Sequence, residues 1–125
     1  MTFPTRAFPN DRFWQALDDL VSAKPVVIDR PAGSRHPRYP DLVYPLDYGY
    51  LDETQAMDGG GIDVWVGSLE SGAVTGIVTT VDLFKNDAEL KILIGCTPDE
   101  MTTIEDHHNG QSQSGLLVIR EQQLS

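Results

Sequence analysis

Apolar residues at Phe13, Leu17, Leu20 and Val21 recur at helical spacing, which predicts a helix over Asn10 to Ala23 with Asn10 or Asp11 as its cap. Short β-branched runs follow. Val26 to Asp29 reads as a strand ended by Pro31, and Leu42 to Leu51 reads as an aromatic-rich extended segment. Ile62 to Val66, Val74 to Phe84, Leu90 to Ile94 and Leu116 to Ile119 read as further strands. Between them, 31–40 is rich in Pro, Gly and Ser and reads as loop or irregular edge, and 52–61, which ends in three glycines, reads as a loop. A second helix is expected over Thr97 to Asn109. Thr97 and Glu100 have capping-box spacing, Pro98 stands at the first helical position, and Asn109-Gly110 is a stop signal.

The order of elements favours an α+β fold with a mostly antiparallel sheet or small barrel. It lacks the regular strand–helix alternation of a doubly wound nucleotide-binding domain, and no Walker-type loop is present. At 125 residues the chain fits a single domain, residues 1–125, with 1–23 as an N-terminal helical extension.

Charge narrows the function. Nineteen acidic residues against nine basic ones give a net charge of −10, which excludes the basic footprint of a nucleic-acid binder. Phosphate ligands are not excluded, because bound cations supply positive charge where carboxylates gather. No apolar run approaches a membrane span, and Met1 to Asn10 lacks the apolar stretch of a secretion signal. The one cysteine, Cys96, ends an apolar run and reads as a buried structural thiol. With no internal disulfide possible, a cytoplasmic setting is expected.

The chemistry concentrates in Asp58-Gly-Gly-Gly-Ile-Asp63. Glycines let the backbone fold tightly, so both carboxylates can approach one hard cation. By itself this is also an ordinary Asp-Gly turn. The upstream segments are Val26-Val-Ile-Asp29-Arg-Pro-Ala-Gly-Ser, Arg38-Tyr39 and Val43-Tyr44-Pro-Leu-Asp-Tyr48-Gly-Tyr50. In order and spacing, these segments and the Asp58 loop together resemble the family I soluble inorganic pyrophosphatases, over Val26 to Val66 and more weakly through the helix near His107.

The resemblance implies a five-stranded barrel-like core with two helices packed outside. It implies hydrolysis of pyrophosphate or a related phosphoanhydride with Mg²⁺, Mn²⁺ being an alternative. The partner is then a small phosphate-containing substrate, with no nucleic acid and no membrane, and the assembly a homo-oligomer. Asp58, Asp63 and Asp87 match the family's metal ligands. Arg38, Tyr44, Tyr48, Lys85, Lys91 and Asn109 are the expected phosphate-binding residues. Asp29, Asp82 and His108 are the expected catalytic groups.

The chain also departs from the family pattern. Gly60 stands where the family has a middle Asp tied to activating water. Glu89 stands where a Lys is expected, with Lys91 two residues further on, and strand alternation puts Asp87, Glu89 and Lys91 on one face. A hairpin before Tyr44 that carries a phosphate-binding Arg in the family is missing. The alternatives to a pyrophosphatase are a metal- or phosphate-binding protein without turnover, and a hydrolase of a different phosphate compound.

Overall fold

The computed structural model describes residues 11–121. The elements run α1 (Asp11–Ala23), β1 (Val26–Arg30), β2 (Asp47–Leu51), β3 (Ile62–Val66), β4 (Val74–Asp82), β5 (Asp87–Ile94), α2 (Pro98–His107) and β6 (Gln113–Ile119). The candidate cap Asn10 and the segment before it lie outside the described residues.

All six strands join one sheet in the order β1-β2-β3-β5-β4-β6. Every neighbouring pair is antiparallel except β3 and β5, which are parallel, with Val64 opposite Ile92. The expected α+β architecture with a mostly antiparallel sheet and two helices is thus the one adopted. The sheet has six strands where five were expected, and it is open, with β1 and β6 at its edges.

Alternation along the strands divides the core in two. On one face Leu51, Val64, Ile77, Ile92 and Ile94 pack with Trp14 and Leu17 of α1. On the other, Trp65, Val78 and Leu93 pack with Tyr44, Cys96 and with Met101 and Ile104 of α2. Both helices therefore follow their apolar stripes onto opposite faces. The start of α2 is tied as its sequence predicts. Thr97 Oγ1 accepts from the Glu100 N–H at 3.2 Å, and Glu100 Oε1 accepts from the Thr97 N–H at 2.8 Å. Cys96 is buried, and burial pushes its thiol up to about 12, so it is inert as a nucleophile at neutral pH.

Close backbone approach shapes the Tyr-Gly-Tyr segment. A Cβ at Gly49 would lie 1.8 Å from the Val27 carbonyl oxygen, so only glycine lets β1 lie across β2 there. That crossing holds Tyr48 opposite Trp65 on the α2 side of the sheet.

Candidate active site

The Asp58 loop is a compact turn. The Ala56 N–H donates to the Gly60 carbonyl at 2.7 Å, the Gly60 N–H donates to Asp58 Oδ1 at 2.9 Å, and Gly59 adopts a positive φ of 88°. Thr54 anchors its return, accepting from the Ile62 N–H at 3.0 Å and donating to the Leu51 carbonyl at 2.7 Å. The loop is thereby carried over the beginning of β3 and β5. The result is a cleft of about 960 Å³ with Asp58, Asp63, Asp87 and Glu89 on its lining. Its remaining wall is largely apolar, with Ala56, Met57, Ile62, Val81, Ala88 and Leu90.

The three expected metal ligands therefore share one cleft. They do not form a closed ligand set: among the described residues no three His, Cys, Asp or Glu side chains stand together as a metal site.

Behind the carboxylates lies a buried cation. Lys91 is 4% exposed, and its Nζ lies 2.8 Å from Asp63 Oδ2, 2.9 Å from Glu89 Oε2 and 2.9 Å from the Tyr48 hydroxyl. An ammonium has three donors, and these three acceptors use them all. Burial alone would lower the Lys91 pKa. The Tyr48 and Asp63 oxygens more than offset it and hold the ammonium charged well above the ordinary range. Burial, countered in part by Lys91, raises the Tyr48 pKa, so its hydroxyl stays protonated. Lys91 was expected to bind phosphate. As placed, it has no donor left for that, because the sheet register sets it directly beside Asp63 and turns it into the protein.

An aromatic platform adjoins this network. Tyr44 packs on Tyr48, Trp65, His36 and His107 at centroid distances of 5.3, 5.9, 6.3 and 5.7 Å. His36 is fixed by accepting two backbone hydrogen bonds at Nδ1, from the Arg38 N–H at 3.0 Å and the Tyr39 N–H at 3.1 Å. Its pKa is lowered, by partial desolvation first and then by the positive charges of Arg30, Lys85 and Arg38. The positive charges of Arg30, Lys85 and Arg38 are thus felt at His36. Arg38 and Lys85 were expected on the substrate side, and both are exposed. Arg30 was not singled out from the sequence. It lies opposite Tyr48 because β1 shifts register between Ile28 and Arg30, and strand alternation does not reveal such a bulge.

Several expected site residues have structural partners instead. Asp82 ends β4, and its Oδ1 accepts from the Phe84 N–H at 2.9 Å, the Lys85 N–H at 3.1 Å and the Ser112 hydroxyl at 2.9 Å. Those bonds, the Lys85 N–H first, lower its pKa against the effect of burial, and they shape the β4–β5 turn. His108 is buried, with the Trp65 Nε1–H donating to its Nε2 at 3.0 Å and Gln113 Oε1 2.9 Å from its Nδ1. Indole N–H is only a donor, so Nε2 is the acceptor and Nδ1 carries the proton to Gln113. Burial lowers its pKa to about 4, with smaller contributions from Lys91 and His107. The Asn109 side chain is taken up by backbone, donating to the Glu105 and Gly115 carbonyls and accepting from the Gly115 N–H. Asp29 is exposed at the bulge in the edge strand. Tyr44 is buried and packs on the half-buried Tyr48.

No family model matches the sequence, and no curated protein matches it. Solved structures do. An inorganic pyrophosphatase from Neisseria gonorrhoeae superimposes with a TM-score of 0.57 at 21% identity, over 71% of this chain and 77% of that one. An inorganic pyrophosphatase from Coxiella burnetii superimposes with a TM-score of 0.50 at 17% identity, over 74% of this chain and 81% of that one. On this likeness the chain has the fold of the inorganic pyrophosphatases.

Proposed function

We propose that this chain hydrolyses pyrophosphate or a related phosphoanhydride with the help of Mg²⁺ or Mn²⁺. One observation carries the reading: four carboxylates, Asp58, Asp63, Asp87 and Glu89, line a single cleft on a pyrophosphatase fold. The donor set suits a hard divalent cation, and Mg²⁺ commonly takes one or two carboxylates and completes its shell with water and substrate phosphate. Asp58 and Asp87 are the residues that would hold it, since neither forms an ion pair among the described residues. Bound there, the cation would supply charge stabilisation to the diphosphate and acidity to a water.

The protein's own groups divide the rest of the work. Arg30, Arg38 and Lys85 supply the positive charge for the phosphate oxygens, with Arg able to give paired, charge-assisted bonds. Asp82 holds the turn that carries Lys85 and leads into Asp87. Tyr48 stays protonated beside Asp63 and adds no negative charge. Of the three expected catalytic groups, Asp82 and His108 are engaged in hydrogen bonds. The Asp29 carboxylate is the one whose side chain shows no hydrogen bond among the described residues. Positioning and charge stabilisation dominate phosphoryl transfer, so turnover survives Gly60, at a reduced rate.

A second reading rests on the size and wall of the cleft. A bare diphosphate has no use for an apolar lining, whereas an organic diphosphate would lay its carbon portion on Ile62, Val81 and Leu90. Phosphate release with Mg²⁺ should therefore be measured on pyrophosphate and on an alkyl and an aryl diphosphate. Asp58→Asn and Asp87→Asn should each lower the rate at least about 100-fold. Preference for the organic substrates would favour the second reading. No release from any of them would leave a protein that binds without turnover.

A further inference from the structure

We infer that the Lys91 ammonium is a built-in cation filling the position between Asp63 and Glu89, so that these two carboxylates hold no divalent ion and the metal-binding capacity of the cleft rests on Asp58 and Asp87. The inference builds on the metal-dependent reading of the cleft and concerns which of its carboxylates are available.

Three observations carry it. Lys91 meets Asp63 and Glu89 at 2.8 and 2.9 Å, which is ion-pair contact with both. Its third donor is held by Tyr48 at 2.9 Å, so the ammonium is fixed from three sides. Asp63 and Glu89 face the cleft while Lys91, 4% exposed, lies behind them, so the ammonium cannot leave without breaking all three contacts.

Charge makes the consequence specific. Asp63, Glu89 and Lys91 together carry −1, so adding Asp58 and Asp87 brings the group to −3. A divalent ion placed on Asp63 would sit against the ammonium and be repelled by it in a poorly solvated setting. The sequence accounts for the arrangement. Glu89 stands on the same strand face as Lys91, two residues away, and the parallel register of β3 and β5 sets Lys91 beside Asp63. A basic residue has moved one step inward along β5 and an acidic one occupies the outer step.

The test is a Mn²⁺ titration by calorimetry, with free Mn²⁺ also counted by electron paramagnetic resonance. In the wild type, Asp63→Asn should leave Mn²⁺ affinity within about twofold, while Asp87→Asn should weaken it at least about tenfold. Lys91→Gln exposes a carboxylate pair to the cleft and should gain one further Mn²⁺ per chain, lost again in Lys91→Gln combined with Asp63→Asn. A tenfold loss of wild-type affinity in Asp63→Asn would overturn the inference. So would a folded Lys91→Gln that gains no ion. If Lys91→Gln fails to fold by circular dichroism, the Asp63→Asn comparison in the wild type decides alone. Phosphate release measured on the same preparations separates the two claims. A wild type inactive on every diphosphate defeats the hydrolase reading, while the Mn²⁺ counts still decide the role of Lys91.

Discussion

Acid puts a proton on His108 at the cost of the buried hydrogen bond it accepts from Trp65, and the stability lost can be worked from the structure. The Trp65 Nε1–H points at His108 Nε2 from 3.0 Å, so a proton on that nitrogen sets donor against donor inside the core. Burial accordingly holds the folded imidazole at about 4, against 6.5 in the unfolded chain. Above pH 6.5 both states are neutral there and the full stability is present. As the pH falls from 6.5 to 4 the unfolded state binds a proton that the native state refuses, so stability is lost across that window. At about 1.4 kcal/mol per tenfold change in protonation, the loss approaches about 3 kcal/mol, a large share of the stability of a small domain. The assay is urea unfolding of the wild type and His108→Gln at pH 8, 6.5, 5 and 4. The variant should be weaker at pH 8, yet lose about 3 kcal/mol less between pH 6.5 and 4. Carboxylates titrating in the same window are common to both chains and cancel in the difference. Parallel stability profiles would refute the assignment. So would an imidazole proton resonance for His108 that titrates near 6.5, and that result would restore an acid–base role for this residue.

Gly60→Asp should raise the rate of pyrophosphate hydrolysis about ten- to 100-fold, because it returns a carboxylate beside the candidate metal position. A Cβ at Gly60 would meet nothing nearer than Asp58 Oδ1 at 3.4 Å, so the change fits the turn, and steady-state phosphate release checks it. A loss of rate would mean that the site has its own base. Thr97→Ala removes the hydroxyl that caps α2 and should cost about 1 kcal/mol in urea unfolding, with Mn²⁺ affinity unchanged. A Thr97→Ala chain as stable as the wild type would show that the bonds from Ser68 to Glu100 suffice to hold the helix start.

Much of the architecture is legible in the chain because it depends on local pattern. Both helices fall within two residues of their expected ends, and α2 carries the cap that Thr97, Pro98 and Glu100 announce. Strand ends are less legible where polar residues pair. β5 begins at Asp87 instead of Leu90, and β6 at Gln113 instead of Leu116, because backbone pairing with β4 continues past the apolar stretch. Ahead of β2, 42–44 stays extended but pairs antiparallel with 33–36, Val43 opposite Arg35 and the Tyr44 N–H donating to the Ser34 carbonyl, and the chain bends at 45–46 before β2 begins. β5 pairs with its sequence neighbour β4, but its parallel pairing with β3 joins strands that are not consecutive, and no local pattern reports that pairing.

The sequence by itself determined the class of the fold, the two amphipathic helices, the acidic loop and the common face of Asp87, Glu89 and Lys91, since each follows from periodicity or backbone chemistry within a few residues. Only the tertiary structure decided which charges meet. The parallel pairing of β3 with β5 brings Asp63 to Lys91, residues 28 apart, and the β1 bulge brings Arg30 opposite Tyr48. Burial then removes water from Lys91 and His108, so one becomes a fixed counter-ion and the other a neutral hydrogen-bonding core residue. The reason is physical: the state and reach of an ionisable side chain depend on desolvation and on partners distant in sequence, and alternation along a strand reports neither.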